Sequence, residues 1–225
     1  MNEKKSTAPD FFLNLGVVVT LYTVIISFLN LTFDIINKVF PENVVYGGYY
    51  SDPYSSGVRL SIACLIIVFP LFIWLSNVVT KAMEIDPARR EVGVRRWLVY
   101  ITLFLSSATI VTDLVILLNT FLEGEISTRF ILKVLAVLIV GGVVFWHYFS
   151  EVRGTASKKK YATVVYGSSA LVVFIIIYAF AVFGSPATVR KIRTDDTRVQ
   201  NLQSIQYQII DYRQRKGSLP EKLSD

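Results

Sequence analysis

Five long, mainly apolar stretches constrain this chain more than anything else in its sequence: residues 11–37, 58–83, 97–121, 130–149 and 161–183. Each meets the run of about 20 residues that a helix needs to cross the hydrocarbon core of a bilayer. A backbone in lipid has no water to bond with, so segments of this length are expected as helices, and they are too long for barrel strands. The predicted fold class is an all-α integral membrane protein. Residues 1–10 form a short polar N-terminus, residues 11–184 a bundle of about five transmembrane helices, and residues 185–225 a tail with one short amphipathic extramembrane helix. The breaks carry loop chemistry: Pro41, Gly47, Gly48 and Pro53, then Asp86 and Pro87, then Gly124, then Gly154. Pro70 inside the second run predicts a kink. No small-residue cleavage site ends the first run, which is read as a retained helix rather than a signal peptide.

Composition supports this solvent and narrows the chemistry. The chain is 53% hydrophobic with a mean hydropathy of +0.51, above the soluble norm. A net charge of +6 does not point to nucleic acid, because the cations fall between apolar runs and lack interleaved exposed aromatics. Cys64, the single cysteine, lies in an apolar run and is read as a small buried residue. His147 is the only histidine, so neither the paired ligation of a membrane haem nor a zinc or di-iron set can be assembled, and no cofactor is expected. With Trp146 and Tyr148 it reads as packing in an aromatic belt. Tyr46, Tyr49, Tyr50 and Tyr54 in the first loop read as a belt or helix cap, with sugar or partner binding as the alternative. Ser168 and Ser169 have no neighbouring base and are read as helix packing.

Orientation follows from Lys and Arg in the short loops. Lys4, Lys5, Lys81, Arg89, Arg90, Arg95, Arg96, Arg153 and Lys158 to Lys160 share one side; only Lys38, Arg59, Arg129 and Lys133 share the other. Eleven cations against four place the N-terminus in the cytoplasm, and five spans then place the tail outside a cell membrane.

The first span carries a stripe of small and polar residues, Gly16, Thr20, Thr23, Ser27, Asn30, Asp34 and Asn37, at spacings of four and three. The third repeats the pattern with Thr102, Ser106, Thr109 and Asp113. Such faces are expected to meet protein and to hydrogen-bond across the contact, which makes the first and third helices a candidate packed pair. Asp34 and Asp113 are costly in lipid without a partner. Arg129 and Lys133, one turn apart on the fourth span, are placed to reach them. The expected cluster is Asp34, Asp113, Arg129 and Lys133, with Glu125 at its rim. It reads either as a bundle-locking salt bridge or as a ligand or proton site.

In the tail, Val199, Leu202, Ile205, Ile209 and Tyr212 follow helical spacing, with Thr194, Asp195 and Asp196 as candidate caps and Gly217 and Pro220 as the stop. A lone helix of this kind is marginal in water, so its apolar stripe needs the bundle, a second copy or another protein. Asp195, Asp196, Arg198, Val199, Leu202, Ile205, Gln206, Ile209, Tyr212, Lys216, Gly217, Leu219 and Pro220 resemble the segment after the membrane helix in bacterial type IV pilins and pseudopilins. That resemblance implies an external tail whose module continues past Asp225. No prepilin-peptidase site precedes the fifth span and no glutamate stands near its start, so polymerisation as an ordinary pilin is not implied. Arg95 to Tyr100, Asp113, Gly124, Glu125, Arg129, Phe130, Leu132 and Lys133 resemble an uncharacterised bacterial multi-pass domain family over residues 11–153, which implies a bacterial cytoplasmic-membrane protein of no assigned activity.

Three function classes remain open on sequence alone. The first is a non-enzymatic scaffold or envelope-assembly component presenting the tail to a protein partner or to another copy. The second is a small transporter, channel or proton-linked sensor using Asp34, Asp113 and Lys133. The third is a membrane-embedded enzyme. The bilayer is the one partner expected in every case.

Overall fold

The computed structural model describes residues 8–41, 56–85, 93–124, 126–154 and 158–217. In chain order they form α1 (Ala8–Val39), α2 (Ser56–Ile85), α3 (Gly93–Glu123), α4 (Thr128–Val152), α5 (Lys158–Phe183) and α6 (Pro186–Lys216), with no strand among them. Helices α1 to α5 each enclose one predicted run and are each long and apolar enough to cross a membrane. The chain is a multi-pass membrane protein of the helical-bundle type. Its helices exceed the apolar runs: the 32 residues of α1 measure about 48 Å against about 30 Å of hydrocarbon. Set along the bilayer normal, α1 extends about 9 Å beyond the hydrocarbon at each end.

Local chemistry sets most of the boundaries. Gly124, Gly154, Gly184 and Gly217 follow α3, α4, α5 and α6 with φ of 76°, 69°, 87° and 73°, a region that closes a helix C-terminus and that other residues adopt at a cost. Ser127 caps α4 by accepting the Phe130 N–H at 3.1 Å. Pro70 lies inside α2, whose helical assignment continues through it.

The start of α6 differs from expectation. Thr194, Asp195 and Asp196 do not cap it; they lie inside a helix that begins at Pro186. Proline suits a first helical position, where its missing N–H has no intrahelical partner to lose. The would-be caps are absorbed: the Thr194 hydroxyl donates to the Arg190 carbonyl at 2.9 Å, and Asp195 accepts from Arg198 at 3.1 Å.

Helix α1 is the spine of the bundle, packing on α2, α3, α4 and α5. Beyond those contacts, α2 meets α5 and α3 meets α4; no other pair among the described residues touches. The bundle is thus two leaves, α2 with α5 and α3 with α4, joined through α1. Apolar packing concentrates in the first leaf, where Leu31 and Ala179 are fully enclosed together with Val58, Leu65 and Val172. The expected α1–α3 pair does touch, but the most extensive neighbours are α2 for α1 and α4 for α3; the short 124–127 connection favours the second pairing.

The polar stripe of α1 is split along its length. Thr20 and Ser27 are buried, whereas Asn30 is exposed. Alternating steps of four and three residues place Thr20, Ser27 and Asp34 on one edge and Thr23, Asn30 and Asn37 on the other, roughly 60° away at 100° per residue. The first edge is the more deeply buried, with Asp34 at its end half-buried. On α3, Thr102, Ser106 and Asp113 are buried and Thr109 is exposed. The recorded hydroxyl bonds run back along the same helix, from Thr20 to the Gly16 carbonyl, Thr102 to Leu98 and Ser106 to Leu103, at 2.7, 2.9 and 2.9 Å. These small residues permit close approach rather than supplying the cross-helix bonds expected of them.

The α3–α4 contact offers a controlled test of close approach. A β-carbon at Gly141 would lie 3.1 Å from Ile110 Cγ1, whereas one at Gly142 would meet nothing within 4 Å. Gly141→Leu is expected to destabilise the bundle by roughly 1–3 kcal/mol, and Gly142→Leu by less than about 0.5 kcal/mol, in unfolding titrations from mixed micelles.

Candidate functional site

Polar and charged side chains collect at both ends of the bundle. The end predicted to face outward joins the C-terminus of α1 to the N-terminus of α4. Arg129 Nε donates to Asn37 Oδ1 at 2.6 Å, and the Lys133 ammonium lies 5.7 Å from the Phe33 ring centroid while attracting Asp34 electrostatically. Asp34, Arg129 and Lys133 are therefore brought to one end, with Asn37 as a further partner that the cluster did not include. Asp113 sits ten residues before the end of α3, about 15 Å along the helix. Its side chain is buried, and Oδ2 has no hydrogen-bond partner among the described residues. Glu125, the first-loop tyrosines and the Arg89–Arg90 pair lie outside the described residues.

The opposite end carries the larger feature. A cavity of about 880 Å³ opens where the two leaves separate, lined by all five spanning helices. Asn14 from α1, Lys81 and Glu84 from α2, Arg95 and Arg96 from α3, and His147 and Glu151 from α4 all border it. That volume falls within the range of small-molecule sites. Arg95 holds three of the helices together: it is ion-paired with Glu151 on α4 and donates to Asn14 Oδ1 on α1 at 3.2 Å. Asn14 in turn donates to the Asp10 carbonyl at 2.8 Å. Glu151 also lies within electrostatic reach of His147. The histidine read as belt packing is thus part of a cavity wall, T-stacked on Tyr148 with ring centroids 5.3 Å apart.

Sequence reasoning missed this assembly because Arg95 lies 81 residues from Asn14 and 56 from Glu151. The readable signal was one-turn spacing at matching helix ends, Ser76–Thr80–Glu84 and His147–Glu151. Chemically the cavity supplies hydrogen-bond donors and cations against partly apolar walls. No group of three or more metal-ligating side chains occurs among the described residues.

The tail residues group as expected along α6. Val199, Leu202 and Ile205 are exposed and Ile209 and Tyr212 partly so, and α6 packs on no other helix among the described residues.

Residues 10–148, more than half of the chain, match a family described as a domain of unknown function, DUF5671. No curated protein and no solved structure matches the chain.

The Arg95 junction yields a direct prediction. Arg95→Glu should destabilise the bundle, and adding Glu151→Arg should restore part of the loss, with a coupling of roughly 1.5–3 kcal/mol. Unfolding of the single and double variants in the same micelles checks it.

Proposed function

The chain belongs to the DUF5671 family, and we propose that it is a non-enzymatic membrane scaffold of the bacterial envelope, pilus-associated in kind, whose bundle anchors α6 and presents it to a protein partner outside the cytoplasmic membrane. One observation carries the reading: a 31-residue helix stands on the bundle with its apolar stripe unpacked. Such a stripe needs cover, since Leu202 alone is 65% exposed. Self-association as a coiled coil is disfavoured, because Val199 to Tyr212 covers two heptads where three or four are needed. The flanks favour a groove with an acidic rim: Arg190, Lys191, Arg198, Arg213, Arg215 and Lys216 outnumber Asp195, Asp196 and Asp211. The likeness of this stretch to the segment after the membrane helix of type IV pilins supports an external position, as does the distribution of loop cations.

A second reading, a proton-linked transporter or sensor using Asp34, Asp113 and Lys133, is favoured by one observation, the buried Asp113 Oδ2 without a hydrogen-bond partner. An intramembrane ionisable group of that kind often marks a conduction or sensing path.

Tags on the two termini are expected to report opposite compartments, the N-terminus inside. A photo-crosslinker replacing Val199 should give one heteromeric adduct in cells, reduced at least tenfold by Leu202→Asp with Ile205→Asp. An adduct of twice the chain mass, or none, overturns the scaffold reading. Asp113→Asn should leave the adduct unchanged; proton flux in liposomes that disappears in this variant would instead select the second reading.

A further inference from the structure

The cavity between the two leaves lies near one end of the bundle, and its chemistry selects a ligand. Its position follows from helix length: Asn14 lies six residues from the start of α1 and His147 five from the end of α4, about 8–9 Å from those ends. Its charge is arranged asymmetrically. Arg95 is held by Glu151 and Asn14, so that pair is largely neutralised within the wall. Lys81, Arg96 and one further carboxylate, Glu84, border the same cavity and are exposed, so beyond the Arg95–Glu151 pair its lining carries two cations against one anion. Deeper walls are apolar, with Val18 from α1 and Val99 from α3 among them. Because the backbones of α2 and α5 approach neither α3 nor α4 closely among the described residues, the seam between the leaves can take apolar chains beneath the cavity.

We infer that this cavity binds a phosphate-bearing anion, with the open seam between the leaves favouring an anionic phospholipid as its source. The phosphate sits between Lys81 and Arg96, Arg95 is a positioning residue that fixes α1, α3 and α4 around it, and the acyl chains occupy the seam. Basic pockets between transmembrane helices suit such headgroups, since each nearby cation strengthens binding about fivefold. A guanidinium adds bidentate geometry toward phosphate oxygens. The inference uses neither α6 nor Asp113, so it stands or falls independently of the proposed function.

The test is native mass spectrometry and thermal unfolding of the full chain in neutral detergent, titrated with phosphatidylglycerol, phosphatidylcholine, glycerol 1-phosphate or inorganic phosphate. Phosphatidylglycerol is expected to bind and raise the unfolding midpoint, at least tenfold more tightly than phosphatidylcholine. Lys81→Ala with Arg96→Ala should weaken it about thirtyfold. The charge-matched control Arg153→Ala with Arg190→Ala, outside the cavity, should change it less than threefold. Val18→Trp with Val99→Trp fills the cavity without removing charge and should abolish binding; its unfolding midpoint without lipid, compared with wild type, reports folding separately. Glycerol 1-phosphate binding as tightly as the lipid would keep the phosphate site and overturn the lipid as its source. Equal binding of both lipids, or equal losses in the cavity and control variants, would overturn the site.

Discussion

The contact of α1 with four other helices holds this protein together. Remove α1 and the α2–α5 and α3–α4 leaves share no packing among the described residues. That arrangement explains the composition of α1. A helix surrounded by neighbours cannot carry large side chains on every face, and Gly16, Thr20 and Ser27 supply small surfaces where backbones must approach. Leu31 fills a position where α1 closes completely against the first leaf, its side chain fully buried.

The same centrality decides where polar groups are tolerated. The Thr20, Thr102 and Ser106 hydroxyls satisfy themselves on their own helix, so they cost little wherever they face. Amides and guanidiniums cannot do so as easily and are used across helices: Asn14 with Arg95 at one end of α1 and Asn37 with Arg129 at the other. Both bonds join α1 to the second leaf, which shares less apolar packing with it than the first leaf does. The leaf poorer in apolar contact is thus fixed by a polar clasp near each end of α1, and the cavity opens beside the Asn14–Arg95 clasp.

Much of this was legible beforehand. Five spans followed from one severe requirement, a run of about 20 residues able to satisfy its backbone alone, and no other element could meet it. Gly124, Gly154 and Gly217 were readable as stops because a left-handed residue suits the chain there. The start of α6 was misread because Thr194, Asp195 and Asp196 have the chemistry of caps, yet a cap forms only where the preceding backbone leaves the helix, and Pro186 had already begun it. The cavity was illegible for another reason. Arg95, Glu151 and Asn14 each look like an ordinary interfacial residue in its own helix; only tertiary packing reveals them as one group. Arg129 reaches the C-terminal end of α1, where the Asn37 amide oxygen accepts from its Nε.

The central position of α1 also bears on how the protein is made. Of the five spanning helices α1 leaves the ribosome first, so the spine of the finished bundle enters the bilayer before the four helices that surround it. Its buried hydroxyls and Asp34 must wait in lipid or beside the insertion machinery until α2 emerges, then until the α3–α4 hairpin arrives as a unit. Each newcomer docks on a surface already present, α5 on both α1 and α2. Assembly in that order is templated from the N-terminus.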